Sequence, residues 1–146
     1  MFRRIGCIIT VIVICMLAAS CAHKDKQELV LEKMSYVRWY EADQLLEVYV
    51  AVANQSEKVL HFRAKVVMLR PELIDATGIE RVELTADDRG GTPPFTLKPH
   101  QETVFKQAFR TYQPLTQKLL KSGAAIEVNS DGAYSCLIPI QNGEIQ

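Results

Sequence analysis

Residues 45–68 read LLEVYVAVANQSEKVLHFRAKVVM, and this stretch predicts two β-strands. Apolar residues alternate with others from Leu46 to Val52, and they alternate again from Leu60 to Met68. A period of two places one face of each strand against a core and the other toward water. The polar residues 54–57 between the two runs are typical of a turn. We therefore expect an antiparallel hairpin.

Similar patterns occur on both sides of this stretch, from Leu29 to Ile140. Short alternating runs are separated by turns rich in Pro, Gly, Asn and Asp, and they predict strands at 81–85, 95–97, 102–109, 124–128 and 133–140. Residues 87–94 form the clearest loop. Seven or eight short strands with this spacing predict a mainly β protein, an antiparallel β-sandwich.

Two segments carry helix signals. Residues 114–121 predict one short helix, with Pro114 in its first turn and Gly123 after its last. Residues 71–78 are open to two interpretations. Pro71 suits an edge strand or a bulge, which favours an extended segment, but a short helix that begins at Pro71 and ends at Gly78 is the alternative.

Residues 95–105, FTLKPHQETVF, resemble the segment Leu-x-Pro-Gly-Glu-x-Val-x-Phe of secreted bacterial immunoglobulin-like domains. His100 stands where that pattern has glycine, and Glu102 is displaced by one residue. The resemblance extends as a general pattern over most of residues 29–140. It implies an immunoglobulin-like sandwich, although the Cys-Trp-Cys core of antibody domains is absent and Trp39 is the only tryptophan.

The N-terminus has the order of a secretory signal peptide. Arg3 and Arg4 precede an apolar run, which ends in small residues and then Cys21. The run LAASC, residues 17–21, resembles the lipobox of bacterial lipoproteins, although the usual leucine position is taken by Ala18. In that family the cysteine sulfur carries diacylglycerol, cleavage occurs just before it, and the new amine is usually acylated.

This resemblance implies a signal peptide at 1–20, a lipidated Cys21 with a polar tether at 21–28, a domain at 29–140 and a tail at 141–146. Ala22 follows the cysteine, and the lack of an aspartate there favours the outer membrane in a Gram-negative source. Two alternatives stay open: an ordinary signal peptide cut after Ser20 or Ala22, and an uncleaved anchor. The apolar run, from Ile5 to about Ala19, is short of the about 20 residues that a spanning helix needs.

Composition narrows the function classes. The chain has 17 basic and 17 acidic residues, so no field of one sign attracts nucleic acid.

If Cys21 carries lipid, Cys136 is a lone thiol in the mature chain. Its alternating, apolar surroundings favour a small buried side chain on a strand over a reactive or intermolecular thiol.

No catalytic or metal-binding pattern is visible in the sequence. The three histidines, His23, His61 and His100, do not have the spacing of a zinc site. The sequence contains no nucleophile elbow or phosphate loop, and Asp87-Asp88 lacks the alternating oxygen ligands of a calcium loop. We therefore expect a protein that is not an enzyme and that uses no cofactor.

Two surface features are candidate partner-binding sites. His61, Arg63 and Lys65 share one face of a predicted strand and could contact anionic lipid headgroups or an acidic partner, unless they form an ordinary solvated face. Tyr36, Trp39 and Tyr40 are residue types favoured at interfaces, unless they pack in the core.

The prediction is a lipoprotein of the cell membrane or outer membrane that faces the periplasm or the exterior. It would be a non-catalytic binding or assembly module, with another envelope protein as its partner. The alternative is a carrier of a small ligand or lipid with a cavity between its sheets. Strand addition at a sheet edge is one available mode of binding.

Overall fold

The computed structural model describes residues 27–130 and 135–146, so Cys21, the predicted signal peptide at 1–20 and most of the predicted tether lie outside the described residues. The described chain is mainly β. Its strands are β1 (Leu29–Leu31), β2 (Tyr36–Tyr40), β3 (Leu45–Asn54), β4 (Leu60–Met68), β5 (Arg81–Glu83), β6 (Phe95–Leu97), β7 (Glu102–Arg110), β8 (Ala124–Ser130), β9 (Ser135–Pro139) and β10 (Asn142–Ile145). Its helices are α1 (Pro71–Thr77) and α2 (Gln117–Leu120).

The strands form two sheets, each built around one long strand. In the first sheet β3 pairs with β7 on one side and with β1 and β2 on the other, and β10 lies beyond β2. In the second sheet β4 pairs with β8 on one side and with β5 and β6 on the other, and β9 lies beyond β8. All pairings are antiparallel except that of β10 with β2.

The core lies between the inward faces of β3 and β4, as the alternation predicted. Leu46, Val48, Val50 and Val52 are buried in β3, and the inward residues of β4 are buried as well. Phe62, Phe95 and Phe105 meet at the centre with ring centroids 4.8–6.3 Å apart. Burying each such side chain stabilises the fold by about 1.5–3 kcal/mol.

The predicted hairpin at 45–68 is wrong. β3 and β4 lie in different sheets, and residues 55–59 carry the chain from one sheet to the other. The period of two determines which face of each strand is buried. It does not determine whether the two buried faces lie side by side in one sheet or oppose each other across a core, and here they oppose each other.

The extended prediction for residues 71–78 is also wrong, because this segment is helix α1. Pro71 occupies its first turn, and Gly78 follows its end with φ of 71° and donates its N–H to the Ile74 carbonyl. Leu73 and Ala76 are three residues apart and are both buried against the core. Proline in the first turn and glycine just after the last are typical of a short helix, and this pattern, not the edge-strand interpretation, describes residues 71–78.

The predicted tail at 141–146 is part of the first sheet. Asn142–Ile145 form β10, which runs parallel to β2, and the Gln146 N–H donates to the Trp39 carbonyl. The predicted helix at 114–121 is confirmed as the shorter α2, so the described chain has two short helices where one was expected. The loop at 87–94 is confirmed and is organised by Asp87, whose carboxylate accepts the N–H groups of Arg89 and Gly91.

Candidate functional site: outer faces and an open sheet edge

The predicted aromatic cluster is divided between the two faces of β2. Trp39 is 4% exposed, points into the core and donates its indole N–H to Thr111 Oγ1 at 3.1 Å. Tyr36 and Tyr40 lie on the opposite, outer face of the first sheet together with Arg38. Trp39 therefore packs in the core, and only the two tyrosines remain at the surface.

Tyr36 belongs to a tightly connected group on this outer face. Its ring stacks on Tyr49 with centroids 5.0 Å apart, and the Arg38 guanidinium carbon lies 4.1 Å from the Tyr36 ring centroid. Its hydroxyl donates to Glu47 Oε1 at 2.7 Å. Lys106 Nζ lies 2.9 Å from the other oxygen of Glu47, so this carboxylate is almost fully covered on a face that usually meets water.

We call Tyr36, Arg38, Glu47, Tyr49 and Lys106 the tyrosine face. Burial and the hydrogen bond to Glu47 raise the pKa of Tyr36 to about 12. Burial works against ionisation of Glu47, but the hydrogen bonds from Lys106 and Tyr36 outweigh it and hold the pKa of Glu47 below its usual range. Tyr36 is therefore neutral and the Glu47 carboxylate charged at neutral pH, and the two are bonded to each other.

The second predicted surface, His61, Arg63 and Lys65, is on the outer face of β4 as expected. It is not a uniformly positive stripe. Arg63 lies 3.3 Å from Glu83, and Lys65 is opposite Glu83 in β5 and Glu127 in β8. Because neighbouring strands supply carboxylates beside these cations, this face offers an anionic membrane little net charge.

The two described histidines lie apart and do not share a site. His61 Nδ1 is 2.9 Å from Thr96 Oγ1, and His100 Nε2 is 2.8 Å from Glu57 Oε1. The His100 and Glu57 side chains are 65% and 83% exposed, so their pair is at the surface and not in a cleft. Across residues 27–130 and 135–146, His, Cys, Asp and Glu side chains form no group of three or more that could hold a metal ion.

A sheet edge that the sequence did not single out is a further candidate binding feature. Within the described residues β9 pairs only with β8. Leu137 in its middle is 48% exposed, while Cys136 and Ile138 point toward the gap between the sheets and are half-buried. The sequence signal for an edge was Pro139, because proline is confined to edges and strand ends.

At this edge the backbone of β9 presents hydrogen-bonding groups that pair with no other described strand. Ile140 donates its N–H to the Ala124 carbonyl, so alternate residues Ile138 and Cys136 also bond toward β8. The N–H and C=O groups of Ser135 and Leu137 therefore point away from the sheet. Pro139 points the same way and offers only its carbonyl.

A groove of about 490 Å³ adjoins β9 on the side that faces the first sheet. Its apolar walls come from Val30 and Leu31 of the β1 region and from Ile138 of β9. Gln27 lies at its rim and donates a side-chain hydrogen bond to Cys136 Sγ at 3.3 Å. The groove can accept apolar side chains of an extended chain that pairs with β9.

The edge strand β9 carries no charged residue, a property that it shares in the described chain with the short strands β1 and β6. β5, at the opposite edge of the same sheet, carries Arg81 and Glu83, and the exposed side of β7 in the first sheet carries Lys106. Charged side chains commonly protect sheet edges from pairing with other chains. The sequence SCLIP of β9 has none, so apart from Pro139 it lacks this protection.

Comparison with known proteins adds no assignment, because no family model matches the chain and no curated protein is significantly similar to it. Neither helix in the described residues has the length and apolar character that a membrane span requires.

Proposed function

We propose that this protein is a lipid-anchored, non-catalytic binding or assembly module of the bacterial cell envelope. The anchor is Cys21, as the resemblance of residues 17–21 to a lipobox implies. Two or more acyl chains hold a protein stably on a bilayer, whereas one chain binds only marginally. The folded part is an immunoglobulin-like β-sandwich held at the membrane surface.

The order of the strands supports the immunoglobulin-like assignment. β2, β3 and β7 face β4, β8 and β9, which corresponds to strands A, B and E facing strands C, F and G of that fold. His100, which takes the place of the glycine in the family pattern, has φ of 60°. A left-handed residue at this turn is the conformation for which the family pattern uses glycine.

The observation that carries the binding function is the edge of β9. It combines backbone groups that pair with no other described strand, an exposed Leu137 and an apolar groove beside it. Main-chain bonds to an added strand supply affinity, and pockets for alternate side chains supply specificity. These are the elements of recognition by strand addition.

The filled interior favours this proposal over the carrier alternative. A carrier needs an enclosed apolar cavity, whereas Phe62, Phe95 and Phe105 pack edge to face or tilted between the sheets. The groove beside β9 is open at the surface, with polar residues such as Gln27 and Asn142 at its rim. An accessible groove suits a polypeptide partner.

Site-specific cross-linking in intact membranes tests the binding surface. A photo-reactive amino acid replaces Leu137 in the full chain, and the same residue at Val59 is the control, because the two native side chains are 48% and 50% exposed. We expect a defined cross-linked product from position 137 and none from position 59. Equal products from both positions, or none from 137, contradict the proposed surface.

Membrane fractionation tests the anchor separately. The Cys21→Ser variant has no sulfur for diacylglycerol, so we expect it in the soluble fraction, and intact-mass measurement of the native protein should show the acyl chains. A Cys21→Ser variant that stays wholly with the membranes contradicts the lipid-anchor proposal.

A further inference from the structure

We propose that the partner at this edge is a second copy of the chain, with β9 paired antiparallel to β9 of the other copy about a twofold axis at Cys136. The inference rests on the proposed assembly function and names its partner. The two second sheets would join into one continuous sheet across the axis. This arrangement is an isologous contact, the commonest form of protein self-association.

The backbone of β9 favours this register over one that is centred on Leu137. With Cys136 opposite Cys136, Ser135 of each copy lies opposite Leu137 of the other, and all four N–H and C=O pairs between them can form. A shift that centres the axis on Leu137 places Pro139 opposite Ser135, and the missing proline N–H then leaves two carbonyls without donors. In the register at Cys136, Pro139 lies opposite none of the described residues of β9, so no carbonyl of β9 loses a donor.

The side chains of β9 also permit self-pairing. A twofold axis brings identical residues together, so a charged residue near the axis would meet its own like charge. Ser135, Cys136 and Leu137 are uncharged. The outer edge strands β5 and β7, which carry Arg81, Glu83 and Lys106, lack this property.

The start of the described chain is compatible with two anchors in one membrane. Gln27 contacts Cys136, so the point where the chain enters the domain lies beside the proposed axis in both copies. Residues 21–26 can span about 20 Å when extended. Both lipidated cysteines can therefore reach the same bilayer on either side of the axis.

Membrane attachment also explains how so small an interface can persist. A standard stable interface buries about 1,200–2,000 Å² with about 20–30 residues from each partner, whereas β9 has five residues. Confinement to a membrane surface raises the effective concentration of the two copies, as a linker does. We therefore expect the pair in membranes and mainly monomers in dilute solution.

The native thiol of Cys136 makes the test direct. Opposite residues of a non-hydrogen-bonded antiparallel pair have Cα atoms about 4.5 Å apart, which is within the range of a disulfide. Mild oxidation of membranes that contain the full-length protein should therefore yield a disulfide-linked dimer. The control is Cys136→Ala combined with Val59→Cys, which places a more exposed thiol elsewhere and measures random collision.

A proline substitution tests whether the disulfide-linked dimer depends on pairing of the two β9 strands or only on the proximity of the two thiols. The Leu137 N–H points away from β8, so Leu137→Pro leaves the bonds within the sheet intact but removes two of the four bonds between copies. Leu137→Ala keeps those bonds. At about 1 kcal/mol per bond, the yield of dimer at limiting oxidation should fall roughly tenfold or more in Leu137→Pro and much less in Leu137→Ala.

The outcomes distinguish the two proposals. A dimer yield that matches the Val59→Cys control, or that Leu137→Pro leaves unchanged while the melting temperature is also unchanged, overturns the twofold pairing. If a protein other than this chain is captured at position 137, the binding function stands and self-association is wrong. Loss of membrane attachment in the native protein would instead contradict the anchor.

Discussion

Asn54 joins three parts of the sandwich, and its replacement by alanine should be severely destabilising. The residue is 1% exposed at the end of β3. Its amide nitrogen donates to the carbonyls of Lys58, Leu97 and Lys98 at 2.7, 3.1 and 3.1 Å, and its amide oxygen accepts the Ser56 N–H at 2.9 Å. One side chain thus ties the crossing between the sheets to the turn before β7.

The magnitude follows from these contacts. A buried group left without its partner costs about 1–3 kcal/mol, and an ordinary bond contributes about 0.5–1.5 kcal/mol. The bond to Leu97 is buried and the others are partly buried. We expect Asn54→Ala to lower the free energy of unfolding by about 2–4 kcal/mol, which corresponds to a fall of about 10 °C in the melting temperature.

Urea unfolding followed by circular dichroism measures this change, and Gln55→Ala is the matched control. Gln55 is the next residue, is exposed and makes only a backbone bond, from its N–H to the Glu28 carbonyl. Its variant should differ from the native protein by less than about 0.5 kcal/mol. A loss in Asn54→Ala as small as that in Gln55→Ala would refute the reasoning.

An isosteric variant adds a second criterion. In Asn54→Asp a carboxylate faces the carbonyls of Lys58, Leu97 and Lys98, which repel its charge. The folded state therefore favours the protonated acid and raises the pKa of this carboxyl, so the penalty is present at neutral pH, shrinks as the pH falls through the raised folded pKa, and is absent below the unfolded pKa. Asn54→Asp should be less stable than Asn54→Ala at pH 7, and the gap should narrow as the pH is lowered.

Three further predictions concern the tyrosine face and the turn before β7. Tyrosinate absorbance should include a transition near pH 12, and Tyr36→Phe should remove it; a titration unchanged in the variant contradicts the assignment. Glu47 stabilises the fold above its unfolded-state pKa, and this is lost as the pH falls through its lowered folded pKa. Lys106→Met removes a partner that lowers this pKa, so acid unfolding should begin at higher pH, whereas an unchanged midpoint shows that Lys106 is not coupled to Glu47. His100 has φ of 60°, and His100→Gly removes the strain of a side chain in this left-handed conformation. The free energy of unfolding should rise by about 0.5–1 kcal/mol relative to Glu57→Ala, the control that removes the same surface contact. A lower melting temperature in His100→Gly contradicts this.

Local sequence patterns predicted most strands but not their partners. The alternation at 45–68 correctly assigned the buried faces of β3 and β4. The partners of those strands come from distant parts of the chain, and at the end of β3 the bonds from Asn54 to Leu97 and Lys98 join residues more than forty positions apart. No local pattern contains that information, and the same polar turn is compatible with a hairpin or with a crossing between sheets.

Helix α1 was the less favoured alternative and strand β10 was not predicted, for related reasons. Seven residues that begin with Pro71 satisfy the rules for an edge strand and for a short helix, and the packing of Leu73 against the core decides between them. Asn142-Gly143 has the composition of a turn. Its position in the sheet depends on distant contacts, such as the Arg38–Glu144 ion pair at 2.8 Å and the bonds from Asn142 to the carbonyls of residues 33 and 35.

The candidate surfaces separate according to whether their polar groups already have partners. Glu47 on the tyrosine face and Arg63 on the second sheet are bonded within the chain, so a partner that used them would first have to break those bonds. The outward backbone groups of Leu137 bond to no described strand, and pairing them with a second strand replaces only water. Residue type alone favoured the aromatic and basic side chains of β2 and β4 as binding surfaces. The backbone groups that remain available for hydrogen bonds to a partner favour the uncharged edge of β9.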